Sequence, residues 1–181
     1  MAFGKLRFKQ GANMFVGFRA IVYSTLFIGL LLIYLPTRVL SWSGIVRPPA
    51  IERPQIAGII LGSVGAAVAL WCIFTFARIG RGTPAPFDPP RRLVIRGPYR
   101  FVRNPMYIGA GLALGGAALF YESVPLVIYA GVFLLACHLF VLSYEEPTLK
   151  QSFGPEYEAY CQRVSRWWPG AWPVLYGHEK K

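Results

Sequence analysis

Acidic residues are scarce. Only 8 Asp and Glu stand against 19 Lys and Arg in 181 residues, and 15% of the chain is charged. A soluble domain carries about 25% charge, so a water-covered globule of this size is disfavoured from the outset. Histidine and cysteine are few as well, at 2 and 3. Cys72, Cys137 and Cys161 form no Cys-x-x-Cys pair and their number is odd, which removes a disulfide framework and a zinc site. Two histidines cannot build a His-rich cluster, so no metal is expected. No Gly-x-x-x-x-Gly-Lys phosphate loop is present, no Gly-x-Gly-x-x-Gly follows a strand, and no Gly-x-Ser-x-Gly elbow occurs. Soluble nucleotide folds are out. Any cofactor must be held by apolar helices and the loops between them.

What the chain does have is apolar residues, 55% of the total, and a net charge of +11. Such a balance suits either nucleic acid or a membrane with a basic face towards an anionic leaflet. Charge-free windows decide between them. Ala20–Thr37 is uncharged for 18 residues, Pro54–Ala77 for 24, Asn104–Tyr121 for 18 and Ser123–Tyr144 for 22. About 20 apolar residues cross a bilayer as a helix. The expected fold is therefore all-α, an integral multi-pass membrane protein with four transmembrane helices near 18–37, 55–77, 104–121 and 124–144. One domain is expected over 1–181. The first window is too long for a cleavable signal and no small-x-small site closes it.

Positive charge sets the orientation. The amino-terminal stretch holds 4 Lys and Arg, the first loop 3, the second loop 7, the third turn none and the tail 5. With both termini in the cytoplasm, 16 of the 19 lie inside, as the positive-inside rule demands. Topology thus accounts for most of the net charge, and no nucleic-acid partner is expected. Arg19 is expected to snorkel to the surface. Glycines four apart, Gly58 with Gly62 and Gly111 with Gly115, suit close packing of membrane helices.

Three polar segments could carry chemistry. The loop from Ile79 to Arg103 is too rich in proline and glycine for a long helix. Its Phe87, Leu93, Val94, Ile95, Tyr99, Phe101 and Val102 call for burial, so it is expected to be a stiff cytoplasmic loop. It runs into a helix start at Asn104 (cap) and Pro105 (first turn). Read alone, Arg103, Tyr107 and Gly109 are either such a helix start with interfacial anchors or part of a site. Glu145 and Glu146 follow the fourth window, two carboxylates expected at a membrane edge and at a helix C-terminus, where the dipole opposes them. They are either solvated or functional. Past Gly154, an amphipathic helix is expected with Tyr157, Tyr160, Cys161 and Val164 on one face, closed by Arg166-Trp167-Trp168. His138, two turns before Glu145, is either a functional group or a neutral histidine bonded between helices.

Gly97-Pro98-Tyr99-Arg100-Phe101-Val102-Arg103-Asn104-Pro105-Met106-Tyr107-Ile108-Gly109 resembles the motif of isoprenylcysteine carboxyl methyltransferases and their phospholipid-methyltransferase relatives. Glu145-Glu146, Leu149, Phe153-Gly154, Tyr157, Tyr160, Val164 and Arg166-Trp167 resemble that family's carboxy-terminal motif. The resemblance covers about the last 85 residues, while residues 1–78 match only as spans.

It implies an S-adenosylmethionine-dependent membrane methyltransferase with its cofactor region at about 91–181. The implied cofactor contacts are Gly97, Tyr99, Arg103, Asn104, Pro105, Tyr107, Gly109, His138, Glu145 and Glu146. The implied catalytic residues are Glu146, Arg166 and Arg103. The two arginines would hold carboxylates of cofactor or substrate, and either glutamate would meet the cofactor or serve as base for an amine. Tyr99 and Tyr107 would line the adenine. The implied partner is a lipid or lipidated thiol or amine reached from within the membrane. Asn104 stands where many isoprenylcysteine enzymes carry His, which tilts the acceptor away from a prenylcysteine carboxylate. Two other classes stay in view, a membrane reductase related to sterol reductases and a non-enzymatic small membrane protein.

Overall fold

The structure is a computed structural model that describes residues 28–45, 50–79 and 93–169. Among these residues every regular element is helical, as expected. α1 (Leu30–Trp42), α2 (Arg53–Ile79), α3 (Pro105–Phe120), α4 (Val124–Phe153) and α5 (Pro155–Arg163) follow in order, with a 3₁₀ turn at Gly97–Arg100 before α3. Two stretches are long and apolar enough to cross a membrane, Arg53–Thr75 and Val124–Phe153, both with mean hydropathy 2.3. α1 and α3 are apolar but shorter. Residues 18–27 of the first expected span, the loop interior at 80–92 and the tail from 170 lie outside the described residues, as do both termini.

The burial pattern of α2 is inverted relative to a water-soluble helix. Gln55, Gly58, Gly65, Cys72 and Thr75 are buried, whereas Ile56, Ile59, Ile60, Leu70, Trp71 and Phe74 are exposed. Only 17% of the apolar window is buried in α2, and 17% in α4. A soluble core helix would bury that face; an apolar exterior of this extent belongs in lipid.

Small residues therefore form the interface, where backbones can approach closely. A Cβ on Gly65 would lie 2.5 Å from the Ala113 nitrogen and 2.6 Å from the Gly109 oxygen. One on Gly58 would lie 2.7 Å from the Gly116 oxygen, and one on Gly116 2.6 Å from the Gly58 oxygen. On α3 the contact surface is thus Gly109, Ala113 and Gly116. This corrects the expected pairing. Gly58 and Gly62 do face α3, but Gly111 looks at the Leu134 side chain of α4, and Gly115 meets only the Leu61 side chain. Spacing identified a packing surface but could not choose between two glycine pairs offset on the same helix.

Proline shapes α1 and α4 in the same way. Pro36 and Pro147 offer no amide hydrogen to the preceding turn and would crowd its carbonyls. Each is preceded by a widened π-turn, Leu30–Tyr34 in α1 and Val141–Glu145 in α4, which absorbs the clash without ending the helix. The Tyr129 hydroxyl of α4 donates to the Leu31 carbonyl at 2.6 Å, so a carbonyl of the widened turn is satisfied from the neighbouring helix.

The α3–α4 hairpin is tight, as the short linker required. Ser123 caps α4 by accepting from the Leu126 amide, and Glu122 takes φ +48, a left-handed conformation rare outside glycine. Gln55, fully buried at the start of α2, donates to the Glu122 carboxylate at 2.8 Å and accepts from the Glu52 amide at 3.0 Å. That contact pins the hairpin to α2. At the other end Gly154, at φ +49, breaks the chain between α4 and α5. The expected face of α5 is present: Tyr157, Tyr160 and Val164 are buried against Leu93, Ile95, Leu149 and Phe153, with Cys161 alongside. The helix lies on the loop.

Filling the α2–α3 contact is expected to be costly. Gly65→Val should lower stability by about 1–3 kcal/mol through overpacking. Gly131→Ala, at a position with nothing within 4 Å, should leave it unchanged or raise it by up to about 1 kcal/mol. Thermal unfolding in detergent measures both, and equal behaviour of the two variants would contradict the packing described.

Candidate functional site

The site is assembled from the carboxy-terminal part of α2, the start of α3 and the second half of α4, beginning with the turn that precedes α3. Gly97 has φ +61, and a Cβ there would lie 2.8 Å from the Thr75 hydroxyl of α2. Only glycine fits both the conformation and the gap. Pro98 then starts the 3₁₀ turn. Tyr99 shares a hydrogen bond with the Cys72 thiol of α2, and its carbonyl accepts from the Tyr160 hydroxyl of α5 at 2.6 Å. Burial pushes the Tyr99 phenol well above its ordinary range, and the neighbouring Cys72 and Glu145 add to the effect.

Asn104 occupies the cap position of α3, as expected, yet makes no capping bond. Its side chain is buried and its amide donates instead to the Arg166 carbonyl at 3.3 Å. Beside it the Arg103 amide donates to the Ser165 carbonyl at 2.9 Å. The α3 start and the segment after α5 are thus joined twice, once backbone to backbone and once from the Asn104 side chain to a backbone carbonyl.

The glutamates stand elsewhere on their helix than expected. Rather than ending near Tyr144, α4 continues through its π-turn to Phe153. Glu145 and Glu146 are therefore mid-helix, and no dipole argument against them applies. The physical reason is Pro147: a widened turn lets the helix run past it.

Glu146 meets two cations. Arg166 grips it bidentately, Nε to Oε1 at 2.7 Å and Nη2 to Oε2 at 2.8 Å, and Arg103 Nη1 lies 3.1 Å from Oε1. Side-chain exposures of 20%, 30% and 13% for Glu146, Arg166 and Arg103 place this triad out of bulk water. Charge-assisted, forked contacts of this kind are both strong and directional. Glu146 also holds the Arg166 guanidinium further above its ordinary value, chiefly through their hydrogen bond. Arg103 Nη1 makes a further contact at 2.7 Å with Cys161 Sγ, while its Nε is buried without a partner among the described residues. Glu145 takes a different neighbour: the Tyr107 hydroxyl donates to its Oε2 at 3.1 Å.

His138 is held by the closing segment. Trp167 Nε1 donates to His138 Nδ1 at 3.0 Å, with ring centroids 5.8 Å apart. Residues 165–167 thus form a strap joined to Arg103, Asn104, Glu146 and His138.

Tyr99, Arg103, Asn104, Tyr107, His138, Glu145, Glu146 and Arg166 are accordingly brought into one neighbourhood, with Pro105 buried at the first turn of α3. Gly109 is not turned towards it. A Cβ there would lie 2.8 Å from the Gly65 oxygen and 2.9 Å from the Ala69 nitrogen, so its role is helix packing. Gly97 shapes the turn. The carboxylate that both arginines reach is the chain's own Glu146. Ser165 was not singled out from the sequence, and Cys161 and Trp167, placed there on the α5 face and in the carboxy-terminal motif, were not expected in the site. The amphipathic face on which Cys161 lies was legible, but an apolar stripe does not announce a contact to arginine.

Removing the bidentate grip is expected to loosen the strap. Arg166→Met should cost about 1–3 kcal/mol, the range for hydrogen bonds to charged groups, and speed hydrogen exchange over 164–169. Arg163→Met, at an exposed position, should do neither. Equal exchange in both variants would contradict the triad's structural role.

A sequence profile described as phospholipid methyltransferase matches residues 54–156. No curated protein and no solved structure matches the chain. The matched stretch exceeds half of the 181 residues, runs from the start of α2 into α5, and takes in Arg103, Tyr107 and the Glu145-Glu146 pair. With an apolar exterior on α2 and α4 and a charged site at their ends, this membrane protein belongs to the phospholipid methyltransferase family.

Proposed function

We propose that the protein is an S-adenosylmethionine-dependent methyltransferase that works at the cytoplasmic membrane face on a lipid or lipid-like acceptor. The observation that carries this reading is the triad of Glu146, Arg103 and Arg166, set beside Glu145 and Tyr107 at the ends of apolar helices. A polar cytosolic cofactor and a greasy acceptor can meet only at such a boundary. Four crossings with both termini in the cytoplasm complete the proposal, since that arrangement puts 16 of 19 cations on the side of the site.

The residues suit the cofactor. Its amino-acid end needs a cation for a carboxylate, and the Arg103 Nε–H is buried without a partner among the described residues. Glu146 holds both arginines in place for it, Glu145 borders the same space, and the phenols of Tyr99 and Tyr107 offer aromatic surface for the adenine. Asn104 and Pro105 fix the turn beneath them, and His138 anchors the strap through Trp167. S-adenosylmethionine, when bound, supplies an electrophilic methyl group on sulfonium sulfur. The chain's own work is alignment and exclusion of water: a rigid α3 start, a strap across it, and a hydrophobic approach for the acceptor. Alternative acceptors are a phospholipid amine, a prenylcysteine carboxylate or a related thiol or amine.

Calorimetric titration with S-adenosylhomocysteine and with NADPH tests the proposal. Saturable binding of the former alone is expected; NADPH binding would point to a reductase, and binding of neither would contradict an enzyme of either kind. Glu146→Gln should weaken S-adenosylhomocysteine by more than about tenfold, because it strands two guanidiniums. Wild-type binding and turnover in that variant would overturn the site assignment.

A further inference from the structure

Resting on the methyltransferase reading, we propose that the two adjacent glutamates have divided roles. Glu146 is a positioning residue that fixes Arg103 and Arg166, and Glu145 is the catalytic residue that takes the proton from the methyl acceptor.

The partners of the two carboxylates separate them. Both Glu146 oxygens are engaged, by three contacts to two guanidiniums at 2.7, 2.8 and 3.1 Å. A carboxylate so neutralised is a poor proton acceptor, since protonation would strand the arginines. Glu145 has no such cover. Among the described residues its contact is one phenol, Tyr107, and the other titratable groups facing it are Tyr99 from the 3₁₀ turn, Cys137 from α4 and its neighbour Glu146. None is cationic. The widened turn at Val141–Glu145 ends at this partly buried anion, within hydrogen-bond reach of Tyr107 of α3. An anion with a hydrogen-bond donor and no counter-ion among the described residues is suited to receive a cationic or proton-bearing group.

The step balances for an amine acceptor. An ammonium N–H gives its proton to the Glu145 carboxylate, leaving a lone pair on nitrogen. That pair forms the new N–C bond to the transferred methyl carbon as the C–S bond breaks, and the C–S electrons stay on sulfur. The products are a neutral thioether, a methylated ammonium and a protonated Glu145, which returns its proton to solvent before the next turnover. A thiol acceptor would give up its S–H proton in the same way. A carboxylate acceptor needs no base and would be repelled by Glu145. Tyr107 is a positioning residue, because its hydroxyl donates to the carboxylate and favours the deprotonated form.

Glu145→Gln and Glu146→Gln separate the roles. Expected for Glu145→Gln is S-adenosylhomocysteine binding within about threefold of wild type, together with a fall of about a hundredfold or more in methyl transfer from labelled S-adenosylmethionine to vesicles of total membrane lipid. Expected for Glu146→Gln is loss of binding itself, with partial return in Glu146→Asp. In Tyr107→Phe the acidic limb of the kcat/KM–pH profile should move to higher pH, since the charged form of Glu145 loses its donor. Equal loss of binding in both glutamine variants overturns the division, as does full transfer by Glu145→Gln or an unmoved limb in Tyr107→Phe. A wild type that binds no S-adenosylhomocysteine or labels no lipid instead overturns the methyltransferase reading on which the division rests.

Discussion

One carboxylate has to be neutralised in the second half of α4, and the local architecture follows from how this is done. An uncompensated Glu146 there would be costly to desolvate. Its two counter-ions come from opposite ends of the second half of the chain, Arg103 just before α3 and Arg166 just after α5. Bringing both to one anion fixes the 3₁₀ turn, the α3 start and the strap at residues 165–167 relative to α4. The bonds from Asn104 to the Arg166 carbonyl and from the Arg103 amide to the Ser165 carbonyl continue the same stitching. Tyr157, Tyr160 and Val164 then cover the loop from below.

The triad can be rigid because the helices beneath it are. Membrane helices gain no hydrophobic force from one another, so backbone contact between small residues must serve. Gly58, Gly62 and Gly65 against Gly109, Ala113 and Gly116 supply that contact. The Gln55–Glu122 bond holds the hairpin at the far end. Gly97 and Gly109 thus support the site through backbone fit, while Arg103, Tyr107, Glu145 and Glu146 present its polar groups.

Much of this was legible in the residues. Uncharged windows marked the apolar helices, proline and glycine bounded the loop, and the spacing of Tyr157, Tyr160 and Val164 gave α5 its buried face. The run from Arg103 to Tyr107 and the Glu145-Glu146 pair, marked out by their resemblance to a family motif, come together in the fold. Other features were not legible, for physical reasons. Pro147 is compatible with a helix end or a π-turn, and the local sequence does not choose between them. Asn104 is as good a cap as any, and its diversion to the Arg166 carbonyl depends on a segment 62 residues away. Gly111 and Gly115 have the spacing of a close-contact pair, but they meet side chains, Leu134 of α4 and Leu61 of α2, rather than a neighbouring backbone. The resemblance implied that Arg103 and Arg166 hold carboxylates of cofactor or substrate, whereas in the fold both reach the chain's own Glu146.

The dependence of the site on that single carboxylate is best tested by a double-mutant cycle between Glu146 and Arg166, read as S-adenosylhomocysteine affinity in detergent. If the pair acts as one unit, Glu146→Gln with Arg166→Met should lose little more affinity than either change alone, and the coupling should exceed about 1 kcal/mol. Losses that simply add would contradict the account, because the two side chains would then be serving the site independently.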